Sequence, residues 1–362
     1  MNYISLFGGN MKHHLYFSKQ DSNYSIFKEI FNFIDSRKSR EIIASYGIKP
    51  IETFINDLKI SFLSFAYDYE LSYILDELKN NSQLRKFTGI KHVPTLNSII
   101  TRFSKISVKT IVDVVNRLLR TNFRRKNNRK LTFLVDATPV DVDMNFLRSH
   151  YSKEYLKKLN LKWSYSSSKG HYIGYKVTMV LEKESLTPVM ILIHQGAPHD
   201  SKLFTEIMET LKKSKIIRPL DIMLFDKGYY SYKNYQKGIM DYKIVPLIFP
   251  KTNFNKSKLM NYIYYPLELF NNNKQNKKIR NTLKKATNQL LKLIKDWKQY
   301  KPVRGYIEDF FKVCKQAFNM HKIHKYTIDS FTKDIYLRTL LITLAVNQTN
   351  KTKTALQKFS QM

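Results

Sequence analysis

Leu131-Thr-Phe-Leu-Val-Asp136 and Ile222-Met-Leu-Phe-Asp226-Lys-Gly228 decide how this chain is read. Each is a short apolar run that closes on an acid. Runs of that length, rich in β-forming residues and followed by turn residues, predict buried strands. A carboxylate at the C-terminal end of such a strand projects into the crevice beyond the sheet, where a rigid backbone fixes its position. Each acid also reads as a plain turn former, since Asp136 runs into Ala-Thr-Pro139 and Asp226 into Lys-Gly. Asp141 and Asp143 compete with Asp136, and Asp221 competes with Asp226. Position at the end of the apolar run favours 136 and 226.

Working outward, Tyr172 to Leu181 and Pro188 to His194 are further runs of strand length, joined by the turn Ser185-Leu-Thr-Pro188. They predict a hairpin. Gly196-Ala-Pro-His199-Asp200-Ser201 then opens a helix with Leu203, Phe204, Ile207, Met208 and Leu211 at helical spacing. His199 and Asp200 read as a helix cap, or as polar groups at the rim of a site. After the strand of Asp226 come a short helix near 231–239 and a strand from Lys243 to Phe249. That order predicts a mixed α/β fold.

A third acid stands out farther along. Pro302 suits the first turn of a helix, where its missing N–H costs nothing. At ~100° per residue, with Arg304 at zero, Glu308 falls at about 40°, Lys315 at about 20° and Lys312 at about 80°. Val303, Ile307, Phe310, Cys314 and Phe318 form the opposite, core-facing stripe. An exposed i,i+4 ion pair is the plain reading of Arg304 and Glu308. The chemical reading is a metal-binding carboxylate flanked by cations that grip phosphate. Asp309, at about 140°, turns away from that face.

Residues 22 to 120 read as helical, from Phe27, Ile30, Phe31 and Ile34, then Ile55, Leu58, Phe62 and Phe65, then Ile106 to Leu118. Gly89 and Pro94 mark a turn between helices, and Thr95 starts the helix that carries Arg102. The basic stretch Arg124 to Lys130 predicts a linker. The expected organisation is an N-terminal helical domain over 1–125 and a second domain over 131–350. A Lys/Asn-rich insertion of about 251–300 lies within the latter, with a helix expected around Leu283 to Ile294. Another helix is expected from Ile335 to Asn347.

The chain holds 62 Lys and Arg against 29 Asp and Glu, a formal net charge of +33 over 362 residues. Such an excess repels itself in a compact state unless a polyanion neutralises it. The segment Lys169-Gly-His171-Tyr172, continuing to Lys176, alternates cations with aromatics and suits phosphate contact and base stacking, or else a basic edge strand. The single cysteine, Cys314, excludes an intrachain disulfide and a cysteine-based zinc site, and points to a reducing compartment. No run approaches the ~18 apolar residues of a membrane span. The N-terminus lacks the pattern of a secretion signal.

From about 131 to 347 the chain resembles insertion-sequence transposases of the DDE class. The resemblance rests on the strands ending at Asp136 and Asp226, on Lys-Gly-Tyr after Asp226, on Gly196 to Ser201, and on Arg304, Glu308 and Lys315. One large branch of that family places a tyrosine three residues before the arginine. Here Tyr300 lies four before Arg304, and Tyr306 competes for the role. The helical segment from Leu84 to Phe103 is similar to the DNA-binding part of such enzymes. The resemblance implies an α/β, ribonuclease H-like mixed sheet flanked by helices, with an N-terminal all-helical DNA-binding domain. It implies Asp136, Asp226 and Glu308 as catalytic residues holding two Mg2+ ions, with Mn2+ able to substitute. It implies DNA contacts by Arg304, Lys315, Lys312, Lys176, Lys169 and Arg102. Trp297 reads either as a captor of a flipped base or as a core residue. The implied partners are double-stranded DNA, at terminal inverted repeats and target, and a second copy of the chain when assembled on DNA. No membrane is involved, and the implied location is cytoplasmic, at the nucleoid.

Overall fold

The computed structural model describes residues 22–123, 129–166, 170–265, 267–271, 273–321 and 323–347. The N-terminal stretch, most of the basic linker, Lys169 and the C-terminal tail lie outside the described residues. The chain divides between Lys105 and Ile106 into two compact units.

Among its described residues the first unit is all helical: α1 (Ser22–Asp35), α2 (Arg37–Ser45), α3 (Ile51–Tyr67), α4 (Leu71–Asn80), α5 (Ser82–Thr88) and α6 (Leu96–Lys105). The apolar positions that signalled helices, Phe27, Ile30, Phe31, Ile34, Ile55, Leu58, Phe62 and Phe65, are all buried. Gly89 takes a left-handed φ of 72° and donates its N–H to Arg85 O at 2.9 Å, ending α5 as a glycine does at little steric cost. Thr95 Oγ1 accepts from Ser98 N at 3.2 Å and so starts α6. Arg102 forms a fork onto the buried Asp57, with Nε to Oδ2 at 2.6 Å and Nη2 to Oδ1 at 2.7 Å. The structure therefore places this guanidinium in a tie between α6 and α3, not free at the surface for phosphate.

The second unit opens with α7 (Val108–Asn122), which packs on α15 (Ile328–Asn347) and β4 (Pro188–Gln195). Its contacts thus belong to the second unit, although in sequence it closes the helical region. Between α7 and β4 lie β1 (Thr132–Asp141), α8 (Met144–His150), α9 (Lys153–Lys158), β2 (Trp163–Ser166) and β3 (Gly170–Glu182). After β4 come α10 (Asp200–Lys213), β5 (Ile222–Phe225), α11 (Tyr232–Met240) and β6 (Val245–Ile248). The sheet order is β2-β3-β1-β5-β6, with β4 also paired to β3. β3 runs antiparallel to β1 and β4, whereas β1, β5 and β6 are parallel. Phe133, Leu134, Val135, Met223, Leu224 and Phe225 are wholly buried, as strands covered on both faces should be.

Three expectations are corrected. β1 does not end at Asp136 but runs on to Asp141, because β3 keeps pairing with it as far as Gly174. What ends there is the parallel partner: Val135 is the last β1 residue paired to β5, through Phe225. The insertion is also more helical than its composition suggests. It holds α12 (Lys256–Tyr262) and α13 (Lys274–Lys295), and α13 packs on β6. α13 extends through the Lys/Asn run because Leu283, Ala286, Leu290 and Ile294 form one buried stripe and the polar residues occupy the other face. The segment from 142 to 166, not assigned from sequence, supplies α8, α9 and β2. α15 starts seven residues earlier than expected, where Thr327 Oγ1 accepts from Ser330 N at 3.2 Å. Among the described residues no helix is long and apolar enough to cross a membrane.

Candidate active site

α14 (Lys301–Gln316), with Pro302 in its first turn, packs on β1. Of the predicted inner stripe, Ile307, Phe310 and Cys314 are buried, and Val313 is buried beside them. That packing carries Arg304 to the edge where the parallel strands stop. The guanidinium then meets all three acids. Arg304 Nη2 lies 2.8 Å from Asp136 Oδ2, Nη1 lies 2.5 Å from Glu308 Oε1, and Nη1 lies 4.0 Å from Asp226 Oδ1. Residues separated by as much as 172 positions thus converge on a single cation.

Two of the rival acids are used elsewhere, and Asp141 ends β1. Asp143 caps α8 by accepting from Phe146 N at 2.9 Å. Asp221 is wholly buried and accepts from Leu131 N at 3.0 Å and Arg218 N at 2.8 Å, tying the loop before β5 to the start of β1. Asp309 is buried beneath α14.

Burial pushes the Asp136 carboxyl up to about 6; Arg304 and the Ala137 N–H oppose that rise, and Asp226 and Glu308 add to it. Burial alone would depress Arg304, but Asp136, Asp226 and Glu308 hold it above its ordinary value. The site is therefore a set of acids that resist sharing one space, held by one half-buried cation.

The opposite side of the Asp226 turn is braced by residues whose role the sequence did not disclose. Lys176 Nζ lies 2.6 Å from Asp200 Oδ1 and donates to Pro198 O at 2.8 Å. A Cβ on Gly228 would stand 2.7 Å from Asp200 Oδ2, so only glycine lets the turn come this close. Asn234 Nδ2 donates to Ser201 O at 3.0 Å and Tyr229 O at 2.9 Å, joining α10 to the same turn. Tyr229 is buried, and burial followed by Asp200, Asp136 and Asp226 raises its phenol well above the ordinary range. The glycine two residues after Asp226 was the one sequence signal of this close approach.

His199 is the N-cap of α10, its Nδ1 accepting from Ser201 N at 3.3 Å, as the capping reading expected. Lys176 is mostly enclosed by Asp200, whereas Lys312 is exposed and Lys315 is half-buried one to two turns beyond Glu308. Tyr300 stands at the N-cap of α14 and Tyr306 one turn inside it.

The profile of the Transposase DDE domain family matches residues 127–344. The chain belongs to that family. No curated protein and no solved structure matches it. Its fold is ribonuclease H-like: the DDE domain is the mixed sheet with its flanking helices, preceded by an all-helical region. Asp136, Asp226 and Glu308 offer only carboxylate oxygens, the chemistry a hard divalent cation takes. Glu308, with its side chain 56% exposed, has room to move. With Arg304 between them the acids face the guanidinium, and among the described residues no three His, Cys, Asp or Glu side chains are grouped to hold an ion. The residue types fit a divalent metal.

Proposed function

We propose that the protein is a DNA transposase that hydrolyses a phosphodiester at the ends of its element and joins the freed 3′-OH to target DNA. One observation carries the reading: a single guanidinium reaches Asp136, Asp226 and Glu308 together. Bound Mg2+, or Mn2+ in its place, would supply Lewis-acid activation of the attacking and departing oxygens. Asp136, Asp226 and Glu308 would hold it. Asp136 is fixed by β1, and Asp226 by the turn that Asp200 and Asn234 brace. Glu308 is the more mobile arm.

Arg304 is the cation that the three acids share in this structure. Its planar fork suits a phosphate as well as a carboxylate. DNA phosphate that draws Arg304 outward frees the acids, so DNA binding and metal loading favour each other. Lys312 and Lys315 extend the cationic face along α14.

Trp297 supports the capture of an unpaired base at the cleaved end. It lines a cavity of about 440 Å³ with Lys251, Phe254, Lys256 and Lys295, and the Lys301 ammonium lies 5.0 Å from its ring centre. The expected partners are the terminal inverted repeats, target DNA and a second copy of the chain that pairs the two ends.

Asp136→Ala, Asp226→Ala and Glu308→Ala are each expected to abolish Mg2+-dependent end cleavage while DNA binding in a mobility-shift assay survives. Cleavage by all three variants would overturn the assignment. Joining of the cleaved end to a target plasmid separates a transposase from a nuclease that stops at hydrolysis.

A further inference from the structure

β2 inverts the usual pattern of a half-buried strand. Ser164 is 7% exposed, while Trp163 and Tyr165 on either side of it are 70% and 62% exposed. Ser164 pairs with Tyr172, which is buried and fills the inward face. Side chains two apart on a strand share a face, so the two rings stand about 7 Å apart on the outer side. Tyr165 meets the edge of the exposed His171 ring opposite it, at 5.2 Å between centroids. Single exposed aromatics are common on protein surfaces. A tandem Trp and Tyr turned outward, over an inward serine, is a surface arranged for contact.

The surroundings indicate what it contacts. Lys162 adjoins Trp163 and is exposed, and α9, which leads into β2, carries exposed Lys153, Lys157 and Lys158 against one acid, Glu154. Lysine is depleted in the cores of protein–protein interfaces. Cations beside open ring faces suit a polyanion whose bases can stack. The placement agrees. β2 pairs with the first residues of β3, seven positions before the Met179 that lies opposite Asp136, or about 24 Å along the strand. That end of β3 lies toward the C-terminal ends of β1 and β5, where the acids are.

We propose that Trp163 and Tyr165 form a stacking platform for unpaired bases of the DNA strand that runs to the acidic site. The proposal rests on the DNA-processing reading only for the identity of the strand. Binding at the platform requires no cleavage.

The chain has two tryptophans. Trp297→Phe in the full chain therefore leaves Trp163 as the sole indole reporter. Titration with an oligothymidylate of ~12 nucleotides is expected to quench that fluorescence saturably. One stacked base contributes about 1–3 kcal/mol, so Trp163→Ala and Tyr165→Ala should each weaken single-strand binding by about 5- to 150-fold. Trp163→Phe, which keeps a ring, should retain most of the affinity. Trp163 and Tyr165 are exposed, so their variants are expected to keep the melting temperature of the Trp297→Phe parent. Absent quenching, or affinity unchanged in both alanine variants, overturns the platform. So does a DNA-free dimer that Trp163→Ala dissociates in sedimentation, which would make the face a contact between copies. An Asp136→Ala protein that still cleaves yet shows the quenching would count against the catalytic reading alone.

Discussion

Asp136 is an acid held where its charge is disfavoured. An aspartate in an unfolded chain titrates at about 3.9, and burial moves this one up to about 6. The folded protein thus binds that proton more tightly than the unfolded chain. The stability this contributes is complete below the unfolded value and is lost as pH rises through about 6. Asp136→Asn, neutral at every pH, is expected to raise the melting temperature at pH 8 by about 4 °C in EDTA and to leave it unchanged near pH 4. A lowered melt at pH 8 would mean that the ion pair with Arg304 outweighs burial. Gly228 is the other residue whose environment dictates its identity. Gly228→Ala drives a methyl into an Asp200 carboxylate that Lys176 pins at 2.6 Å, and overpacking of this kind costs about 1–3 kcal/mol. Cleavage should fall along with the melting temperature. Adding Asp200→Ala, which opens the space, should restore the melting temperature but not full cleavage. A Gly228→Ala protein with wild-type stability would contradict the close approach.

At the scale of elements, periodicity carried far. The helices of the first unit, the stripe of α14 and the strand runs were legible because burial of one face imposes spacing on the sequence. Three limits were physical. β1 outran its apolar run because its antiparallel partner kept supplying hydrogen bonds. α13 began within a Lys/Asn run because a long helix needs only one apolar stripe. β2 escaped notice because its aromatics face out. The α3–α6 tie yields an asymmetric prediction. Arg102→Ala strands the Asp57 carboxylate, whose side chain is 2% exposed, and should destabilise the first unit by about 3–5 kcal/mol. Asp57→Ala leaves an arginine that can turn to solvent, and should cost only about 1.5–3 kcal/mol. Denaturant unfolding of the two full-length variants measures the difference, and equal losses would refute the asymmetry.

For the whole molecule, a formal charge of +33 makes polyanion binding an electrostatic expectation before any site is named. Counterion release then dominates affinity. A log–log plot of binding to an element end against salt should have a slope of about −6 or steeper, with ~0.9 per phosphate neutralised. A slope shallower than about −2, measured by anisotropy, would show that few of these cations meet DNA.

The amino-acid sequence alone determined the cationic character, the α/β order of the second unit, the helical first unit and the three acids, because charge, periodicity and strand-end position are local properties of a chain. The tertiary structure decided what no local window holds. It set Arg304 among Asp136, Asp226 and Glu308, Asp200 against Gly228 and Lys176, and α7 against α15. Apart from the one-turn pair of Arg304 and Glu308, these contacts join positions distant in the chain, and only the burial of apolar faces, such as that of α14 on β1, brings such positions within the few ångströms over which charges and hydrogen bonds act.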